Sequence, residues 1–356
     1  MRLKRELEDL GAKVWVDDAG KKAGGNVGNL IAHFSGTQRG VKPLLLSAHM
    51  DTVVPGTGIT PILDGDILRT DGRTVLGGDD KSGIAIICEV LRVIREKRVP
   101  SGDVDIVFTI CEEAGLIGAK HLDTGHLRAQ TGLVLDSDSS GYLVTKAPAS
   151  NRVEFRVRGR EAHAGVCPEK GVNAIKVAAE GIAQMKLGRI DQETTANIGI
   201  IEGGMAVNIV PNEVVLKGEA RSHNDDKLAL QTQHMLSCLE EAAARFNLDM
   251  EGQTFTASVE ARINRSYERM DVPDSAPVVQ LVIAAARNLN LELKLLATGG
   301  GCDANVLNQK GLMVANLSTG MREIHTVNEW LDLRDLYLSA QVVLETLRLN
   351  ALNSRL

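Results

Sequence analysis

The sequence predicts an α/β protein with a mostly parallel sheet, interrupted by an inserted α+β domain. Two observations predict it. Apolar runs at residues 44–48, 104–110 and 132–135 alternate with helical stretches, the pattern of buried parallel strands joined by right-handed crossovers. After Pro148 the rhythm changes, and Arg152-Val153-Glu154-Phe155-Arg156-Val157-Arg158 alternates polar with apolar, as a half-exposed antiparallel strand does. At 356 residues, two domains is the natural division. The expected boundaries are 1–149 with 265–356 for the first, and 150–264 for the insert.

Taken in order, residues 3–10 read as the end of a helix stopped by Gly11. Short strands at 12–16 and 30–34 flank a Gly/Lys turn. Its Gly24-Gly25-Asn26-Val27-Gly28 lacks the spacing and the strand–turn–helix setting of a dinucleotide loop. The run 44–48 ends in His49-Met50-Asp51. A polar hairpin region from Asp64-Gly65-Asp66 to Asp71-Gly72-Arg73 leads into Gly77-Gly78-Asp79-Asp80-Lys81-Ser82-Gly83, a glycine-rich turn ahead of a helix over 82–97. Strand 104–110 runs into Cys111-Glu112-Glu113-Ala114-Gly115, and strand 132–135 ends at Asp136-Ser137-Asp138.

In the insert, strand 152–158 is followed by helix 171–185, strands 195–201 and 213–220, helix 225–246 and a strand near 254–262. That order predicts a four-stranded antiparallel sheet with two helices on one face. The αβ rhythm then resumes with helix 278–289 and strand 292–296. The loop Thr298-Gly299-Gly300-Gly301-Cys302-Asp303, a helix to Gln309, and strand 312–316 lead to Ile324-His325-Thr326, and an amphipathic helix over 333–349 follows.

Composition narrows the function. Aromatic residues are 3% of the chain, so the core must be built from Val, Ile, Leu and Ala. A net charge of −6 argues against a nucleic-acid binder or an anionic-membrane binder, which would carry a basic face. The five cysteines are scattered, with no Cys-x-x-Cys, and read as reduced thiols of a cytoplasmic protein. No apolar signal core stands at the N-terminus, and no apolar run approaches the roughly 20 residues of a membrane span.

The chemistry lies in where the acids and histidines fall. His49 and Asp51, Glu112 and Glu113, and Asp136 each follow a buried strand, at the edge where open parallel sheets bind ligands. Asp79 and His325 lie on loops that can reach that edge. Singly, each has a plain reading. Asp79-Asp80 would cap a helix, His49 would be a satisfied buried histidine, Glu112-Glu113 would open a helix, and Asp136 would cap a turn. Together, so many carboxylates in one crevice would repel, and a cation is implied. Histidine and carboxylate ligands without cysteine suit a catalytic zinc or a similar metal better than a structural zinc site. Two metals sharing a bridging carboxylate would neutralise the cluster.

His49-Met50-Asp51, Gly78-Asp79-Asp80-Lys81-x-Gly83, Glu112-Glu113-Ala114-Gly115, Asp136, Ala162-His163-Ala164-Gly165 and His325, in that order, resemble the di-zinc exopeptidase family. That family includes peptidase T, carboxypeptidase G, succinyl-diaminopimelate desuccinylase and aminoacylase. The segments Glu-Glu-Ala-Gly-Leu-Ile-Gly-Ala-Lys and Glu-Ile-His-Thr-Val-Asn-Glu-Trp are closest to its peptidase T-like branch. The resemblance implies a catalytic metal-binding domain carrying an inserted lid and dimerisation domain, with two Zn2+ per chain (or Co2+ or Mn2+). Asp79 would bridge the metals, one completed by His49 and Asp136, the other by Glu113 and His325. Glu112 would be the general base, Asp51 would hold the far nitrogen of His49, and the Asp79–Asp80 bond would be cis. Asp138 is the rival to Asp136.

His163 would stabilise the oxyanion, while Asn208 and Arg221 would bind substrate. The triple-glycine loop would form pocket wall, and Cys111 has no feature that would activate its thiol. Relatives begin with a further N-terminal stretch, so Met1 is expected to fall partway into their first helix. The expected activity is release of the N-terminal residue from short peptides, tripeptides above all, with a homodimer through the insert. A related N-acyl-amino-acid amidohydrolase or carboxypeptidase is the alternative, and a non-catalytic metal-binding homologue is a third reading.

Overall fold

The computed structural model describes residues 2–250 and 253–353. Its contacts divide into two compact units. One comprises Met1–Ala147, Met270–Thr298 and Cys302–Leu356, the other Pro148–Arg269 with Gly299–Gly301.

The first unit holds a nine-stranded mixed sheet. Its centre is parallel: Val104–Thr109, Leu44–His49, Thr131–Ser137 and Met313–Ser318 lie side by side in that order. Antiparallel strands Leu30–Phe34 and Lys13–Val16 extend one side, and Tyr142–Ala147 pairs antiparallel on the other. The central strands carry no solvent face. All six residues of Leu44–His49 and of Val104–Thr109 are buried, which is why their sequences read as runs and not as alternations.

Helix Gly78–Lys97 packs against Leu44–His49, Thr131–Ser137 and the last helix, Leu333–Asn353. Its Ile87, Leu91 and Ile94 are wholly buried, each contributing about 1.5–3 kcal/mol of burial. Gly132 has a packing reason to lack a side chain, since a Cβ there would lie 2.0 Å from the Leu45 carbonyl oxygen.

Two features were not legible in the sequence. Tyr142–Ala147 is a full sheet strand, and the expected hairpin region near Asp64, formed by Ile62–Asp64 and Ile67–Arg69, joins Met321–Arg322 and Trp330–Asp332 in a separate four-stranded sheet. These strands are two to three residues each, too short for periodicity to register.

The second unit follows the expected strand–helix–strand–strand–helix–strand order. Ala149–Arg158, Thr194–Gly203, Glu213–Ser222 and Ser258–Tyr267 form its antiparallel sheet, with the two-residue strand Gly188–Arg189 added at one edge. Helices Ala174–Gln184 and Asp225–Ala244 cover one face, packing on Val153, Phe155 and Val157. In that unit Ala162–His163 and Ile209–Val210 form a separate small ribbon.

Candidate metal centre

Strand order brings the acids and histidines together. Because Leu44–His49 lies between Val104–Thr109 and Thr131–Ser137, all parallel, their C-terminal ends share one sheet edge. His49 is the last residue of its strand, and Asp136 is the penultimate residue of its strand instead of standing just beyond the end as expected. The Asp79–Asp80 peptide is cis, and both residues depart from helical φ/ψ at the head of their helix.

The Asp79 carboxylate stands between two imidazoles. Its Oδ1 is 2.9 Å from His49 Nε2, and its Oδ2 is 3.0 Å from His325 Nε2. Asp136 Oδ1 lies 3.7 Å from His49 Nε2, and Glu113 Oε2 lies 3.1 Å from His325 Nε2. His49, Asp79 and Glu113 can bring ligand atoms within 4.8 Å of one another, as can His49, Asp80 and Asp136. Asp138 is exposed, whereas the Asp136 carboxylate sits beside His49.

The backbones bearing these side chains are held by other side chains. Asp51 accepts the Glu112 and Glu113 amides at 3.0 and 3.1 Å, one on each oxygen. Asp80 accepts the His49 amide and the Gly83 amide, both at 3.0 Å. A Cβ at Gly83 would come within 2.5 Å of Asp80 Oδ1, so this clamp requires glycine. Glu329 accepts Gly77 and Asp79 amides at 2.7 and 2.9 Å. Asn316 holds both backbone polar groups of Asp136, each at 2.8 Å. His49 Nδ1 donates to the Asp51 carbonyl oxygen at 3.1 Å, while the Asp51 carboxylate stands off at 3.6 Å. That bond leaves the Nε2 lone pair directed at Asp79 and Asp136 in the neutral ring.

The electrostatics are those of a site built around positive charge. Burial lifts the Asp136 carboxyl well above the usual carboxylate range, with Asp79 and Asp80 adding to it against His49. Burial likewise lifts Glu112, with Asp303 the next cause, and lifts Asp303 to about 6. Burial works against charge on His49, but Asp136, Asp51 and Asp79 outweigh it and raise its pKa. Hydrogen bonds that His325 donates to the Asp79 and Glu113 carboxylates raise its pKa to about 10. Glu113 Oε1 is buried and has no hydrogen-bond partner among the described residues. Two imidazole nitrogens and the carboxylates of Asp79, Asp136 and Glu113, the last with an unpartnered buried oxygen, are a donor set that fits divalent cations.

His325 adopts φ 64° and Cys111, just before Glu112, φ 53°. Such left-handed backbone is uncommon outside glycine and tends to mark functional segments. Burial raises the Cys111 thiol pKa, in keeping with its reading as inert. Asp80, Asn316 and Glu329 do not figure among the site residues read from the sequence. Their one visible signal is polarity inside or beside otherwise buried segments. Asp303 is another: it is buried, accepts from the Thr109 hydroxyl, and its Oδ1 has no hydrogen-bond partner among the described residues.

The other expected site residues lie in the second unit. His163 and Asn208 share its small ribbon, where the Ala164 amide donates to the Asn208 carbonyl oxygen at 2.9 Å. His163 Nδ1 accepts the Gly165 and Val166 amides at 3.2 Å, leaving Nε2 as the N–H donor of the neutral ring. Arg221 is committed bidentately to Glu219 at 2.9 and 3.0 Å.

A mixed α/β fold that gathers carboxylates and histidines at the C-terminal edge of its parallel strands has the donor set of a hydrolase. Residues 45–349 match the model of peptidase family M20/M25/M40, and the chain belongs to that family and is a peptidase. It is 41% identical to an uncharacterized Bacillus subtilis protein, YqjE, over 96% of this chain and 90% of that one. It resembles the solved aminopeptidase PepT of Bacillus cereus at 40% identity and a TM-score of 0.86, covering 98% of this chain and 92% of that one. A Staphylococcus aureus tripeptidase structure matches at 38% identity and a TM-score of 0.91, covering 98% and 91%.

Proposed function

We propose that this peptidase is a metal-dependent aminopeptidase that releases the N-terminal residue from tripeptides and other short peptides. The observation that carries the proposal is the Asp79 carboxylate, one oxygen toward His49 and the other toward His325. The Bacillus cereus aminopeptidase and the Staphylococcus aureus tripeptidase support the choice of substrate. His49, Asp79 and Asp136 would hold one divalent ion, and Asp79, Glu113 and His325 a second. Zinc suits these donors, with cobalt or manganese as substitutes. Ions bound there would supply charge neutralisation and Lewis acidity.

Glu112 takes a proton from the attacking water at its carboxylate as the new C–O bond forms. It delivers that proton to the amine as the C–N bond breaks. Its burial raises its proton affinity, which suits a group that must take a proton and then return it. Asp51 fixes the base and its neighbour through their amides. A free tripeptide and its N-acetylated form, digested side by side and read by mass spectrometry, test the assignment. Release of the N-terminal residue from the free peptide alone is expected. Rapid cleavage of the blocked peptide alone would make the protein an N-acyl amidohydrolase or carboxypeptidase of the same family.

A further inference from the structure

Glu329 is a buried carboxylate that the reaction does not use, 250 residues from the backbone it touches. Its two oxygens accept the amides of Gly77 and Asp79, on either side of Gly78. Both are therefore engaged by backbone donors and turned away from a ligand's role. The same residue ends the loop that carries His325. That loop joins Met321–Arg322 to Trp330–Asp332, which pair with each other, so Glu329 stands at the base of the hairpin and His325 near its tip. Inside the loop, the Glu329 amide donates to the Thr326 carbonyl oxygen and the Thr326 hydroxyl to the Glu323 carbonyl oxygen, at 3.2 and 2.8 Å.

We propose that Glu329 is a positioning residue for the metal centre, one that locks the His325 hairpin to the Asp79 turn. The inference rests on the metal-centre reading given under Proposed function. Asp79 and His325 come from opposite ends of the chain, yet one carboxylate fixes the backbone of the first and the loop of the second. A glutamine cannot substitute. Its carbonyl oxygen replaces only one of the two carboxylate oxygens in use, and its NH2 would face the other amide donor. Loss of such outer partners weakens metal affinity by about 10–100-fold.

The test is titration of the chelator-stripped full chain with Zn2+ against a chromophoric competitor, for wild type, Glu329→Gln and Ile94→Ala. Ile94 is wholly buried near the far end of the Gly78–Lys97 helix, so its truncation lowers stability without touching either loop. Glu329→Gln is expected to weaken Zn2+ binding about 10–100-fold, and Ile94→Ala to leave it unchanged. Wild-type affinity in Glu329→Gln overturns the inference, as does equal weakening in Ile94→Ala. Gly78→Ala covers the case in which Glu329→Gln does not fold. Its new Cβ would stand 3.1 Å from Glu329 Oε1 and press on the clamp while keeping the charge. A smaller loss in the same direction is expected, and unchanged affinity there is also a refutation. A wild-type chain that takes up no Zn2+ would overturn the metal centre itself, an outcome separate from the Glu329 result.

Discussion

The candidate metal centre of the first unit and the solvent-facing side of the second unit's sheet use their charged residues differently. In the first, Asp51, Asp80 and Glu329 each accept two backbone amides, and all three stand beside candidate metal ligands. In the second, charges pair with one another across the exposed side of the sheet: Arg156 with Glu213, Arg158 with Glu213 and Glu260, Lys217 with Glu202. The difference is one of solvent. A buried carboxylate must find fixed donors, and in doing so it fixes the backbone that supplies them. An exposed ion pair trades water for a partner at almost no gain, and it orders little. Position is therefore encoded by the buried acids, and the surface pairs serve mainly solubility.

Three substitutions can break or sharpen that contrast. The largest effect is expected for Glu112→Gln, which keeps the shape of the side chain and removes the base. Turnover should fall by about 10²–10⁴-fold with bound metal unchanged, and retained activity would remove Glu112 from its role. His325→Ala comes next, because it deletes an imidazole that faces two carboxylates at 3.0 and 3.1 Å. Elemental analysis should find less metal per chain, and wild-type stoichiometry would count against His325 as a ligand. The smallest effect belongs to Arg158→Ala in the second unit, where Arg158 and its partner Glu260 are exposed and Glu213 is half-buried. Its urea midpoint and bound metal should match wild type, and a clear destabilisation would contradict the division drawn between the units.

Much of the fold was legible because buried parallel strands leave continuous apolar runs and half-exposed antiparallel strands leave alternation. Leu44–His49 and Ala149–Arg158 are the two clear cases. The His-x-Asp, Glu-Glu and Asp positions at strand ends were legible for the same reason: once the strands were placed as parallel, their C-terminal ends had to meet. The short strands Met321–Arg322 and Trp330–Asp332 were not legible, since two or three residues carry no period.

The sequence by itself determined the alternation of elements, the chemistry of the donors and their common edge. Those follow from local hydrophobic pattern and the rules of chain crossover. The family resemblance already pointed to Asp79 as the bridge; only the tertiary structure decided that Asp80 and Glu329 hold backbone amides, and set Asp79 at 2.9 and 3.0 Å from His49 and His325. Adjacent aspartates are chemically identical in sequence. What separates them is which of them meets an amide and which meets an imidazole, and that is set by residues tens to hundreds of positions away.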